Sequence, residues 1–121
     1  MNIAVVQVNE ILKNSDLKDI TRFLNYVPED YQKIEKLPLI RVVEVNAYYS
    51  NRASNTAQTM TFNVQVDIWT NDLEQANDLY FKIDELMKEN SWSCQYSEIT
   101  NDSDLENCNR IIKRYEAIRF K

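Results

Sequence analysis

Asp102, Asp104 and Glu106 alternate within an acidic turn, the one spacing in this chain that suggests oxygen ligands for a hard cation. Acidic residues in a surface turn are otherwise solvated, and that reading is preferred. Asp67 and Asp72 flank Trp69 and could be cast as the carboxylate pair of a glycosidase. Their positions, at a strand end and a helix start, give Asp72 a simpler role in complementing the helix dipole. Cys94 lies between Trp92 and Tyr96 on the apolar side of an alternating run. A reactive thiol needs a cationic, partly open setting, so a small core residue is the expected role. Arg110, Lys113, Arg114 and Arg119 cluster around Tyr115 in the last run of the chain. Strand alternation puts Arg110 and Arg114 on one face and Lys113 and Arg119 on the other. Such a run fits an edge strand guarded by charge, an ion-pairing surface for an acidic neighbour, or a weak DNA contact. Tyr48, Tyr49 and Arg52 are residue types enriched at protein interfaces. They fall in a polar stretch, Asn46–Thr59, that reads equally well as a flexible hairpin connection.

Two absences bound the chemistry more firmly than any of these clusters. The 121 residues include no His, which excludes Ser-His-Asp and Cys-His arrangements and imidazole metal ligands. They also include no Gly, which excludes a phosphate-cradling P-loop, a dinucleotide-binding turn and an EF-hand. No cofactor and no enzymatic activity are therefore expected. Without Gly, other residues must occupy left-handed backbone positions, and Asn tolerates them best. Of the fourteen Asn, five fall where turns are expected: Asn14, Asn46, Asn71, Asn90 and Asn101.

Composition places the chain among single globular domains of residues 1–121, with 44% hydrophobic and 27% charged residues. No apolar run is long enough for a membrane span, and the opening residues lack the basic region of a secretory leader. The formal net charge of −5 argues against wholesale binding to nucleic acid or anionic lipid. Two cysteines, Cys94 and Cys108, could pair across a hairpin but suit free thiols of a reducing compartment better.

The elements that must position these residues follow from periodicity. Ile3–Lys13 reads as a helix, with Ala4, Val8, Ile11 and Leu12 near one face. Residues 17–27 are ambiguous between helix and extended chain, and the stretch from Pro28 to Pro38 reads as a loop. Leu39–Val45 is apolar on both faces, as in a central strand. Met60–Ile68 alternates most cleanly, with Met60, Phe62, Val64, Val66 and Ile68 on one side. A second helix starts at Asn71, with Glu74 in capping-box spacing, and runs to about Asn90 on a face of Leu73, Ala76, Tyr80, Ile83 and Met87. Ser91–Ile99 and Asn109–Phe120 complete the set as strands. The expected fold is α+β: a four-stranded, mostly antiparallel sheet, order α-β-β-α-β-β, with both helices on one face. The second sheet face is expected to be polar or reserved for a partner subunit.

Taken in order, PLIRVVEVN (38–46), SNRASNTAQ (50–58), FNVQVDIWT (62–70), the helix DLEQANDLYFKIDELM, the Trp92…Tyr96-Ser97-Glu98 strand and the closing RIIKRYEAIRF resemble a known family. It is that of the small tail-completion, or tail terminator, proteins of long-tailed bacteriophages and prophages of Gram-positive bacteria. The resemblance spans about Ile3 to Phe120 and lies in order and spacing rather than in any reactive motif. It implies a virion structural protein, made in the host cytoplasm and located at the tail neck. Its partners would be further copies of itself in a hexameric ring, the major tail-tube protein and the head-tail connector, with DNA only passing through the lumen. A ring requires a heterologous interface, for which Tyr48, Tyr49, Arg52, Arg110, Lys113, Arg114 and Arg119 are the candidates. A head-to-tail joining protein and a small nucleic-acid-binding regulator are the alternatives.

Overall fold

A computed structural model describes residues 1–32, 36–53, 56–101 and 108–120. Two helices, α1 (Ala4–Lys13) and α2 (Leu73–Glu89), pack on a mixed sheet of β1 (Thr21–Leu24), β2 (Leu39–Ala53), β3 (Thr56–Thr70), β4 (Ser93–Asn101) and β5 (Asn109–Phe120). The strand order across the sheet is β1-β2-β3-β5-β4. β1 runs parallel to β2, and every other pairing is antiparallel. The fold is therefore α+β as expected, but the sheet has five strands rather than four and is mixed.

The fifth strand comes from the ambiguous stretch. Thr21–Leu24 pairs in register with Leu39–Val42, and the Asn25 N–H adds one bond to Val42 O. The larger correction concerns Asn46–Thr59. This stretch is no loop: β2 continues to Ala53 and β3 begins at Thr56, so the two form one long hairpin. A β-bulge between Glu44 and Asn46 breaks the alternation midway, which is why the sequence period fails there.

Both helices do lie on one face. Val8 and Leu12 of α1 and Ala76, Ile83 and Met87 of α2 bury against Ile40, Val42, Val64, Val66, Ile68 and Ile111. Burying such a set at about 25 cal/mol per Å² is the main stabilising term of the fold. Leu73, expected on that face, is exposed. The α2 cap also sits one residue later than predicted: the Asp72 carboxylate accepts from Gln75 N–H at 2.7 Å. At the opposite sheet face a smaller cluster joins Leu37, Leu39 and Cys108 to Phe23, Val27 and Trp69.

Left-handed backbone occurs, among the described residues, at Asn25 (φ 82°) and Ser91 (φ 64°), and not at the five Asn expected to supply it. Ser91 closes α2 in a Schellman turn, with Trp92 N–H bonded to Met87 O and Ser91 N–H to Lys88 O. Among the described residues no helix is long and apolar enough to cross a membrane.

Candidate functional site

The charged residues of interest divide between the two faces of the sheet, as strand alternation requires. On the face away from the helices, Asp67 of β3 is completely buried although it belongs to the polar side of its strand. Its neighbours explain this. Arg41 on β2 and Arg110 on β5 stand in flanking strands, and both guanidinium groups turn onto it. Arg41 Nε and Nη2 donate to Asp67 Oδ2 at 3.0 and 2.6 Å, and Arg110 Nη2 donates to Oδ1 at 3.0 Å. Gln65 Nε2 donates to Oδ1 at 3.1 Å and links the group onward, since its own Oε1 accepts from Arg114 Nε at 3.0 Å. Both arginines also lie over the Trp69 ring, at 5.5 and 5.3 Å from its centre. Charge-assisted bonds of this kind, with cation–π contact, tie three strands together without leaving a reactive carboxylate.

Arg114 continues the row. Its guanidinium lies 5.4 Å from the Tyr96 ring on β4, and Tyr96 donates in turn to the Glu98 carboxylate. That bond to Glu98 raises the Tyr96 phenol above its ordinary value.

A second network lies under α2. Lys113 has no exposed surface; its ammonium donates to Asp84 Oδ2 at 2.9 Å and to Ser97 Oγ at 3.0 Å, and faces the Tyr80 ring at 3.3 Å. Tyr115 donates to the other Asp84 oxygen at 2.5 Å. Burial, reinforced by that bond, pushes the Tyr115 phenol far above its usual range. Ser97 also meets Cys94 Sγ at 3.3 Å. Cys94 is exposed and Cys108 buried, the reverse of the core role expected for Cys94, and they are not bonded to each other.

Arg119 completes the set on the helix side. It donates to Gln7 Oε1 of α1 at 3.1 Å and to the carbonyls of Asn90 and Ser91 at 3.2 and 3.3 Å, over the Trp92 ring. A guanidinium at the C-terminal end of a helix satisfies its last carbonyls and opposes its dipole. Partial burial lowers its pKa.

The expected split of Arg110 and Arg114 from Lys113 and Arg119 is therefore observed, but their setting differs from each sequence reading. β5 lies between β3 and β4, so it is no edge strand. Lys113 is buried and offers nothing to a neighbour, while Arg110 and Arg119 serve contacts within the subunit. Asp67 and Asp72 form no catalytic pair: one is held by two arginines and the other caps a helix. Tyr48 and Tyr49 are half exposed, on opposite faces of the β2–β3 hairpin. Arg52 stands opposite Ala57 near its tip, and its side chain lies outside the description. Asp102, Asp104 and Glu106 lie outside the described residues. Among the described residues no cluster of three or more metal-ligating side chains is present. Asp84 and Arg41, both central to these networks, were missed by sequence reasoning. Arg41 sits singly in an apolar run and cross-strand register places it opposite Asp67, whereas Asp84 lies beside Glu85 on α2 and meets Lys113 only through the packing of that helix on the sheet.

No protein-family model matches this chain, and no curated protein matches it in sequence.

Proposed function

We propose that the chain is a structural subunit of a bacteriophage tail: a tail terminator whose copies close into a hexameric ring. The ring would cap the last layer of tail-tube protein and present its other side to the head connector. The observation that carries this reading is how the surface is divided. The strongest charged groups of the sheet neutralise one another inside the subunit, whereas large apolar side chains stay exposed along its sides. Val45 and Tyr48 project from β2, Tyr96 and Ile99 from β4, and Ile118 and Phe120 from the end of β5. Exposed apolar groups at the margins of a sheet suit a part that packs against other parts.

The order of elements, which resembles tail-completion proteins, supports the same reading, as does a chain free of His and Gly. A net charge of −5 suits a ring whose lumen must pass DNA without holding it. The divided and internally bonded cations of β5 do not form the continuous basic surface that a nucleic-acid-binding regulator would use. In this role the protein catalyses no reaction and needs no cofactor.

The direct test adds purified protein to tail-tube protein while tubes are growing, and measures tube length by negative-stain microscopy. Shortened tubes with a distinct ring at one end are expected. Tubes of unchanged length with bare ends contradict the proposal.

A further inference from the structure

The sheet has two unpaired edges, on opposite sides of the molecule. On one side β4 is bounded by β5 alone, and all nine of its residues are exposed. On the other side β1 covers β2 only over Leu39–Val42. Among the described residues no strand runs beside β2 from Val43 to Ala53 on the side away from β3. Natural sheets usually blunt such edges with Pro, charged side chains, especially Lys, or bulges. Neither stretch contains Pro or Lys, and the charged residues are only Glu44 and Arg52 on one and Glu98 on the other. Instead, Val45 and Tyr48 are exposed at one edge and Tyr96 and Ile99 at the other, each close to half.

We propose that β4 of one copy pairs antiparallel with the free part of β2 in a second copy, so that the sheet continues from subunit to subunit. This refines the ring reading above and rests on it.

Strand direction supports the pairing. β2 is antiparallel to β3, β3 to β5 and β5 to β4, so β2 and β4 of one subunit run in opposite senses. A neighbour related by rotation about an axis along the strands therefore presents its β2 antiparallel to β4.

Size supports it too. The nine residues of β4 span about 30 Å at ~3.3 Å per residue, and the free part of β2, from Val43 to Ala53, is long enough to pair with all of it.

Register sets the geometry. Ser93 is level with Asn46 through Glu116 and Asn63. A neighbour placed level would bring β4 against the part of β2 that β1 already covers. A stagger of about five residues along the strand clears β1, and strand tilt imposes such a stagger on any closed sheet. The bulges at Glu44/Asn46 and Cys94/Tyr96 fall within the two edges and supply local twist for the curvature.

The contact is heterologous, one patch meeting a different one, and so can close into a ring. A two-fold β4–β4 pairing would instead stop at a dimer and leave Val45 and Tyr48 uncovered.

Ile99→Lys and Val45→Lys each place a charge at one edge while leaving the other intact. Light scattering of each variant alone should show loss of the ring mass and recovery of monomer. An equimolar mixture should give dimers, because the intact β2 edge of Ile99→Lys meets the intact β4 edge of Val45→Lys. Circular dichroism and thermal unfolding establish that each variant is folded; Thr100→Lys and Tyr48→Lys replace any that is not. Rings that persist in both variants, or a mixture that stays monomeric, overturn the edge contact while leaving the ring reading intact. Wild-type protein that is monomeric both alone and with tail-tube protein overturns the ring reading itself.

Discussion

Lys113 Nζ stands 2.9 Å from Asp84 Oδ2, an ion pair whose cation is wholly buried and whose anion is one-third exposed. The pair joins the centre of β5 to the inner face of α2. Removing the anion alone leaves an ammonium with no exposed surface, facing only Ser97 and the Tyr80 ring.

Asp84→Asn is expected to cost about 3 kcal/mol, the low end for breaking a buried pair because Asp84 retains some solvent. Adding Lys113→Met to the same chain should restore most of the loss, since a neutral side chain of similar length no longer demands a partner. Urea unfolding of the two single variants and the double variant measures both terms. Equal losses in Asp84→Asn and the double variant would show that the pair is not the source.

The phenol of Tyr115 gives a pH dependence whose sign is fixed. Its folded pKa lies above the ordinary value of about 10, so the folded protein keeps this proton after the unfolded chain has released it. Its contribution is complete below pH 10 and falls as pH rises past that value. Tyr115→Phe should therefore lose stability less steeply than wild type between about pH 10 and 11. Ultraviolet absorbance should show the Tyr115 phenol still un-ionised until the protein unfolds. A wild-type slope unchanged by the substitution would contradict the assignment.

Ser91 adopts φ 64° at the end of α2, where a glycine carries no steric cost. Ser91→Gly should stabilise the protein by about 1 kcal/mol and raise the melting midpoint by about 4 °C. The backbone carbonyls that accept from Arg119 are unaltered by this change. Calorimetry that finds no rise would mean that the turn relaxes at no cost.

How far the sequence discloses the fold depends on where each strand lies. β3 and β5 have the helix-covered core on one face and both show period-two patterns; β5 has the expected boundaries, while β3 extends past the expected Met60–Ile68 to Thr56–Thr70. α2 is equally plain, because one side buries and the other meets water. β1 is four residues long and has no room to display a period. The far half of β2 lies beyond β1 and is interrupted by a bulge, so its residues alternate poorly and it reads as a loop. β4 is exposed on both faces, which explains the misplaced core role of Cys94. The networks are less legible still. Lys113 falls in the buried series Ile111, Lys113, Tyr115, Ala117, and that placement is itself a signal that a partner must lie across the core. Which residue answers it, Asp84 from a helix 29 positions away, depends on packing that no local pattern encodes.

The most direct measurement is the solution mass of the purified wild-type protein by light scattering, read with negative-stain images of the same sample. A closed ring with the mass of six chains is expected. A single species at the mass of one chain, unchanged on raising the concentration or adding tail-tube protein, would contradict it.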